Sequence, residues 1–208
     1  VMATCALLGQ AVGALNALAI KYDNSPETIA SEKYLEVQNI LLDDGVHLPR
    51  IKRQTSTLTK SAKINLSDGE LSVLFNGLER PRTELNENLI SLDIGSTLTF
   101  EYSEPKQINK LRICFDPDFD RNSITPNYKM QVFTMKLHTG KDFVPVKVAK
   151  TLVKAFEVYA DGVLIKKVEN NFKRLLNLDL NVCAKKIDIK WLETNGDEKV
   201  RIYSIDFN

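Results

Sequence analysis

The chain has 208 residues, 43% hydrophobic and 26% charged, and its 28 Lys and Arg against 27 Asp and Glu leave a formal net charge of +1. That length accommodates one or two domains with a sizeable core, and the balanced, interspersed charge carries no electrostatic footprint for nucleic acid or for an anionic membrane. Cys5, Cys114 and Cys183 are an odd set without a CxxC pair, which excludes a disulfide framework and a zinc knuckle as organising features.

The chain opens on VMATCALLGQAVGALNALAI, an uncharged run in which Gly9, Gly13 and Ala17 recur at every fourth position. That spacing lines small side chains along one helix face, so a second backbone can approach closely. A membrane span or a signal peptide is the competing reading. The run is too rich in alanine, is interrupted by Thr4, Gln10 and Asn16, and has no basic residue ahead of it. A buried soluble helix is expected, with Asn16 finding a partner, and with the helix covered by its neighbours or by another copy of the chain.

Ser25, Pro26 and Glu27 form a helix start: Asn24 or Ser25 can cap, proline suits the first helical position, and the acid favours the positive end of the dipole. Ile29, Tyr34, Leu35, Val37, Ile40, Leu41 and Leu42 continue at mostly helical spacing until Asp44 and Gly45. Residues 1–47 therefore read as a helical pair.

Residues 48–208 switch to a twofold period. Leu98, Phe100 and Tyr102 alternate with polar neighbours, as do Leu111, Ile113 and Phe115, and residues 130–138, 155–160, 163–168, 185–192 and 199–207 follow the same pattern. Asp161 and Gly162 between two such runs signal a type I′ hairpin, and the final strand, ending at Phe207, is expected inside the sheet. The fold expected is mainly β, an antiparallel β-sandwich of about eight to ten strands preceded by the helical pair.

Two resemblances attach to these residues. VMATCALLGQAVGALNALA, with SPETIA and LEVQNILLDDGVHLP, resembles the C-terminal helices of bacterial FAD-dependent oxidoreductases of the glutathione-reductase-like superfamily. The resemblance implies a parent flavoenzyme whose flavin lies near the amino end of the first helix, at Val1, Met2, Ala3 and Thr4, and a partner flavin domain that this sequence lacks. Gly9, Gln10, Ala11, Val12 and Gly13 do not form the GxGxxG turn that holds a dinucleotide. FAD is thus expected in the parent and not in this chain, which is not catalytic alone. LFNGLERPR, the TLTFEY and INKLRICFD runs joined by a turn with Pro105, the DG hairpin and the closing VRIYSIDF are similar to discoidin-like, galactose-binding-like β-sandwiches. That resemblance implies an accessory or structural domain, with a carbohydrate-binding module as the alternative, its glycan bound by loops at one end.

Trp191 closes the alternation Ile187, Ile189, Trp191, and that parity places it in the core. Tyr22, Phe119, Tyr128 and Phe172 fall in loops or at their edges. Asp116, Asp118 and Asp120 alternate and can converge on a hard cation such as structural calcium, although Arg121 and Asn127 stand where an EF-hand has glycine and glutamate. His47 and His138 belong to no catalytic motif, and Cys5, on an apolar helix face, reads as an inert thiol. Neither nucleic acid nor membrane is expected as a partner; a homo-oligomer through the N-terminal helices is.

Overall fold

The computed structural model describes residues 2–65, 71–81, 88–118 and 148–208. The chain divides into two compact units, Val1–Gln54 and Thr55–Asn208, beyond the change of periodicity at residues 47–48.

The first unit holds α1 (Met2–Lys21), α2 (Pro26–Glu32) and α3 (Tyr34–Asp43). The Ser25 hydroxyl accepts the Thr28 N–H at 3.2 Å, and Pro26 occupies the first turn of α2, as its sequence dictates. The expected second helix is two helices, because Lys33 leaves helical geometry at φ −124° and ψ 22°. At the end of α3 the Val46 N–H reaches the Leu41 carbonyl and the Gly45 N–H reaches that of Leu42. This is the paired closure that a left-handed glycine permits, with Gly45 at φ 80°.

The core of this unit is Leu18, Ala19 and Ile29, backed by Leu15, Val37 and Ile40. The expectation of a close-packed small face is corrected here. Gly9, Gly13 and Ala17 are exposed, and open space lies where a side chain on either glycine would begin. At 3.6 residues per turn the stripe lies opposite Leu15 and Leu18, and α2 and α3 pack on the side that offers larger apolar area. Asn16 is exposed too, so it needs no buried partner.

The second unit contains α4 (Thr57–Ser61), β1 (Lys63–Asn65), α5 (Ser72–Phe75), β2 (Ile90–Asp93), β3 (Thr97–Phe115), β4 (Val153–Ala160), β5 (Val163–Val168), β6 (Leu175–Thr194) and β7 (Lys199–Phe207). All pairings among them are antiparallel, in the order β2-β7-β3-β6-β4-β5, with β1 added to β3. The two long strands serve both layers. Residues 97–101 of β3 pair with the later part of β6, alongside β1, β4 and β5; residues 106–115 pair with the earlier part of β6, alongside β7 and β2. A register shift between Glu101 and Lys106 takes the chain from one layer to the other, so Pro105 lies in a bend of a continuous strand rather than in the expected turn.

The layers meet through aromatic contacts. Phe100 of one packs edge-on against Phe207 of the other at 4.9 Å between centroids, and Phe115 does the same to Trp191 and Phe156 at 6.2 and 6.1 Å. Trp191 is fully buried, as its parity requires. β7 lies between β2 and β3 and is interior to the sheet. Asp161 and Gly162, at φ 48° and 84°, form the hairpin turn between β4 and β5. The strand expected over residues 130–138 lies outside the described residues.

Candidate functional site

Opposite the end of the sandwich where Asn208 bonds to Lys110, four chain segments gather: the exit of β3, the entry to β4, the β5–β6 connection and the β6–β7 turn. Side-chain amides hold them together. Asn171, buried, donates through Nδ2 to the carbonyls of Val153 (2.7 Å) and Lys173 (3.1 Å) and accepts the Lys173 N–H at 2.9 Å. Asn195 donates to the carbonyls of Leu152 and Asn171, each at 3.0 Å. The Thr151 hydroxyl donates to the Asp116 carbonyl at 2.6 Å, and the Asp197 N–H donates to that of Lys150. The loops are thus fixed by short polar side chains whose buried groups are satisfied.

From this scaffold Phe172 projects with 64% of its surface exposed. It is the one exposed aromatic of the second unit among the described residues, where Phe100, Tyr102, Phe115, Phe156, Trp191, Tyr203 and Phe207 are buried. Asn170, two residues before it, adopts φ 54°, a left-handed conformation that asparagine tolerates better than most residues. A ring on a pinned loop can stack on the apolar face of a ligand while neighbouring amides and lysines meet its polar groups.

Charge at this end is mostly paired. Lys154 meets Glu193 at 2.7 Å and Arg201 meets Asp197 at 2.6 Å. Behind the loops Arg112 forms a buried ion pair with Glu79, which also accepts from the Ser204 hydroxyl at 2.6 Å. Beside them burial, with the Glu79 charge adding to it, pushes the Cys114 thiol up to about 12 and keeps it neutral.

The residues singled out in sequence are dispersed. Met2 and Thr4 sit in the exposed first turn of α1 with Ala3 between them, while Val1 lies outside the described residues. Tyr22 belongs to the first unit, where its hydroxyl donates to Glu36 at 2.9 Å and Lys33 Nζ stands 4.2 Å from its ring centre. His47 is exposed after α3, and Phe119, Tyr128 and His138 lie outside the described residues.

Asp116 and Asp118 are both buried at the exit of β3, where Asp116 Oδ1 accepts the Tyr203 hydroxyl and the Asp118 N–H, each at 3.0 Å. Among the described residues no three acidic, histidine or cysteine side chains converge as calcium would require; Asp120 lies outside them. Cys5 and Cys183 are exposed, which corrects the apolar packing expected around Cys5. In the first unit Ala11, Val12, Leu15, Ala30, Tyr34 and Val37 line an open apolar groove of about 220 Å³.

Neither the family models nor the curated proteins searched match this sequence. Solved structures do. The family 32 carbohydrate-binding module of Streptococcus pneumoniae EndoD superposes with a TM-score of 0.50 at 15% identity, over 74% of this chain and 99% of that one. The second unit is a galactose-binding-like sandwich. At lower scores stand the fucose-binding module SpX-3 of Streptococcus pneumoniae (TM-score 0.45, 9% identity, 74% and 97% coverage) and CpGH89CBM32-5 of Clostridium perfringens in complex with GalNAc-β-1,3-galactose (0.44, 13%, 72% and 96%).

Proposed function

We propose that the galactose-binding-like unit is a carbohydrate-binding module whose glycan docks on the loop end around Phe172. The observation that carries this reading is the exposed ring itself: burying a free phenylalanine against a sugar face recovers hydrophobic free energy that the folded chain leaves unused. The amide-locked loops support it, because a preformed site loses little entropy on binding. Glycan-array screening of the full chain tests it. Retention of a defined class of glycans, lost on Phe172→Ala with the fold intact, is the expected result; an array without signal refutes it.

A second reading concerns the first unit alone. Its resemblance to the C-terminal helices of FAD-dependent oxidoreductases, with Val1, Met2, Ala3 and Thr4 nearest a flavin, is favoured by an α1 that carries no charge before Lys21 and stays exposed along most of its length. In that reading a flavin domain covers α1, and FAD supplies the redox chemistry when bound there. Co-purification of this chain with a separately expressed flavin domain tests it, and failure of the two to associate removes it.

A further inference from the structure

We infer that the ligand of the Phe172 end is an anionic sugar, carboxylated or sulfated, held by Lys150 and Lys173; the inference rests on the glycan-binding reading above. The pattern of charge pairing motivates it. Lys154 and Arg201 are bound to Glu193 and Asp197, and Lys199, at the entry to β7, is bound to Asp93. Lys150 and Lys173 are exposed and have no ion-pair partner among the described residues.

Lys173 follows Phe172 directly, and its backbone is fixed on both sides by Asn171, which takes its N–H and donates to its carbonyl. Lys150 stands on the adjoining segment. Its carbonyl accepts the Asp197 N–H, and its side-chain stem lies over Gly196, with Cγ 3.3 Å from where a Cβ there would stand. The Asn195 amide, bonded to both Leu152 and Asn171, ties the Lys150 segment to the Phe172 segment. Both lysines therefore stand on the segments that these amides tie to the exposed ring. Glu198 is the opposing charge at the β6–β7 turn; it is exposed and has no ion pair among the described residues. Asp116 and Asp118, at the exit of β3, are buried, so among the described residues two exposed unpaired cations stand against one exposed unpaired acid.

Stacking alone does not discriminate between a neutral hexose and its uronate or sulfate ester. Two lysines do, and the preference they confer weakens with salt because exposed charges are screened.

The test is calorimetric titration of the full chain with three oligosaccharides of equal length: an oligogalacturonide, a sulfated galactan fragment and a neutral galactan fragment. The expected result is about tenfold tighter binding of at least one anionic ligand over the neutral one in about 50 mM salt, shrinking in about 200 mM salt. The Lys150→Gln/Lys173→Gln variant should erase that preference, and Lys150→Arg/Lys173→Arg should retain it. Urea midpoints read from Trp191 establish that each variant is folded. Equal, Phe172-dependent binding of all three ligands overturns the anionic preference and leaves the glycan reading standing. Absence of binding to any glycan, on these ligands and on the array, overturns both.

Discussion

Replacing Asn171 with alanine separates the scaffold of the loop end from the surface it presents. The substitution deletes three hydrogen bonds and leaves the carbonyl of Val153, at the entry to β4, without its side-chain donor. A net value of about 1 kcal/mol per bond, with the desolvation cost of an orphaned carbonyl within that range, gives a loss of about 3 kcal/mol. For a domain of this size each kcal/mol moves Tm by about 2–4 °C, so the melting temperature of the sandwich should fall by about 6–12 °C. Trp191 is the chain's single tryptophan and is wholly buried in the second unit, so its fluorescence during urea unfolding reports on that unit alone. Asn171→Asp is the sharper variant: it keeps an acceptor for the Lys173 N–H but sets a carboxylate against two carbonyls, and it should destabilise at least as much as alanine. A stability change within about 0.5 kcal/mol for both variants, the range of ordinary surface substitutions, would refute the claim that Asn171 pins these loops.

Glu79→Gln should lose about 3–5 kcal/mol, because it removes the Glu79 carboxylate from a buried ion pair with Arg112; chemical denaturation monitored at Trp191 checks it. Thiol labelling of the native chain should modify Cys5 and Cys183 and spare Cys114 until the sandwich unfolds, so mass spectrometry showing fast labelling of Cys114 would contradict its burial. Stability should decline in alkali. Burial, with Glu79 contributing, holds Cys114 protonated up to about 12 against an ordinary 9.0, and burial, with Asp206 contributing, holds Tyr102 up to about 12 against 10.0. The unfolded chain releases these protons first, so their contribution is complete below about pH 9 and is lost as pH rises towards 12. Urea midpoints at about pH 8 and about pH 11 should diverge less in Cys114→Ala/Tyr102→Phe than in the parent.

The sequence exposed the parts of the fold in which one face of an element is buried. Ile187, Ile189 and Trp191 are inward because a twofold period has only two sides, and Asp161-Gly162 announced its hairpin because positive φ at both positions is tolerated by few residue pairs. The earlier part of β6 carries the same alternation at Leu176, Leu178, Leu180 and Val182, with Asn177, Asp179 and Asn181 in the outward positions. The bend at Pro105 was not legible, since a register shift depends on the partner strand.

Helix α1 shows the opposite limit. A stripe of Gly9, Gly13 and Ala17 states what could approach and not what does, and within its unit the larger Leu15 and Leu18 took the contact. For the site, Phe172 could be named as a loop aromatic but not preferred over Tyr22. Only the structure shows that the Tyr22 hydroxyl is already bonded to Glu36 while Phe172 stands on amide-locked loops.

The most direct measurement is the dissociation constant of the array-selected glycan for the full chain, for Phe172→Ala and for Phe172→Trp. Loss of a stacking anchor worth about 2 kcal/mol weakens binding about 30-fold, so alanine should do so while tryptophan restores affinity, with far-UV circular dichroism and the urea midpoint unchanged in both variants. Equal affinity in all three proteins would contradict the assignment of the Phe172 end as the glycan site.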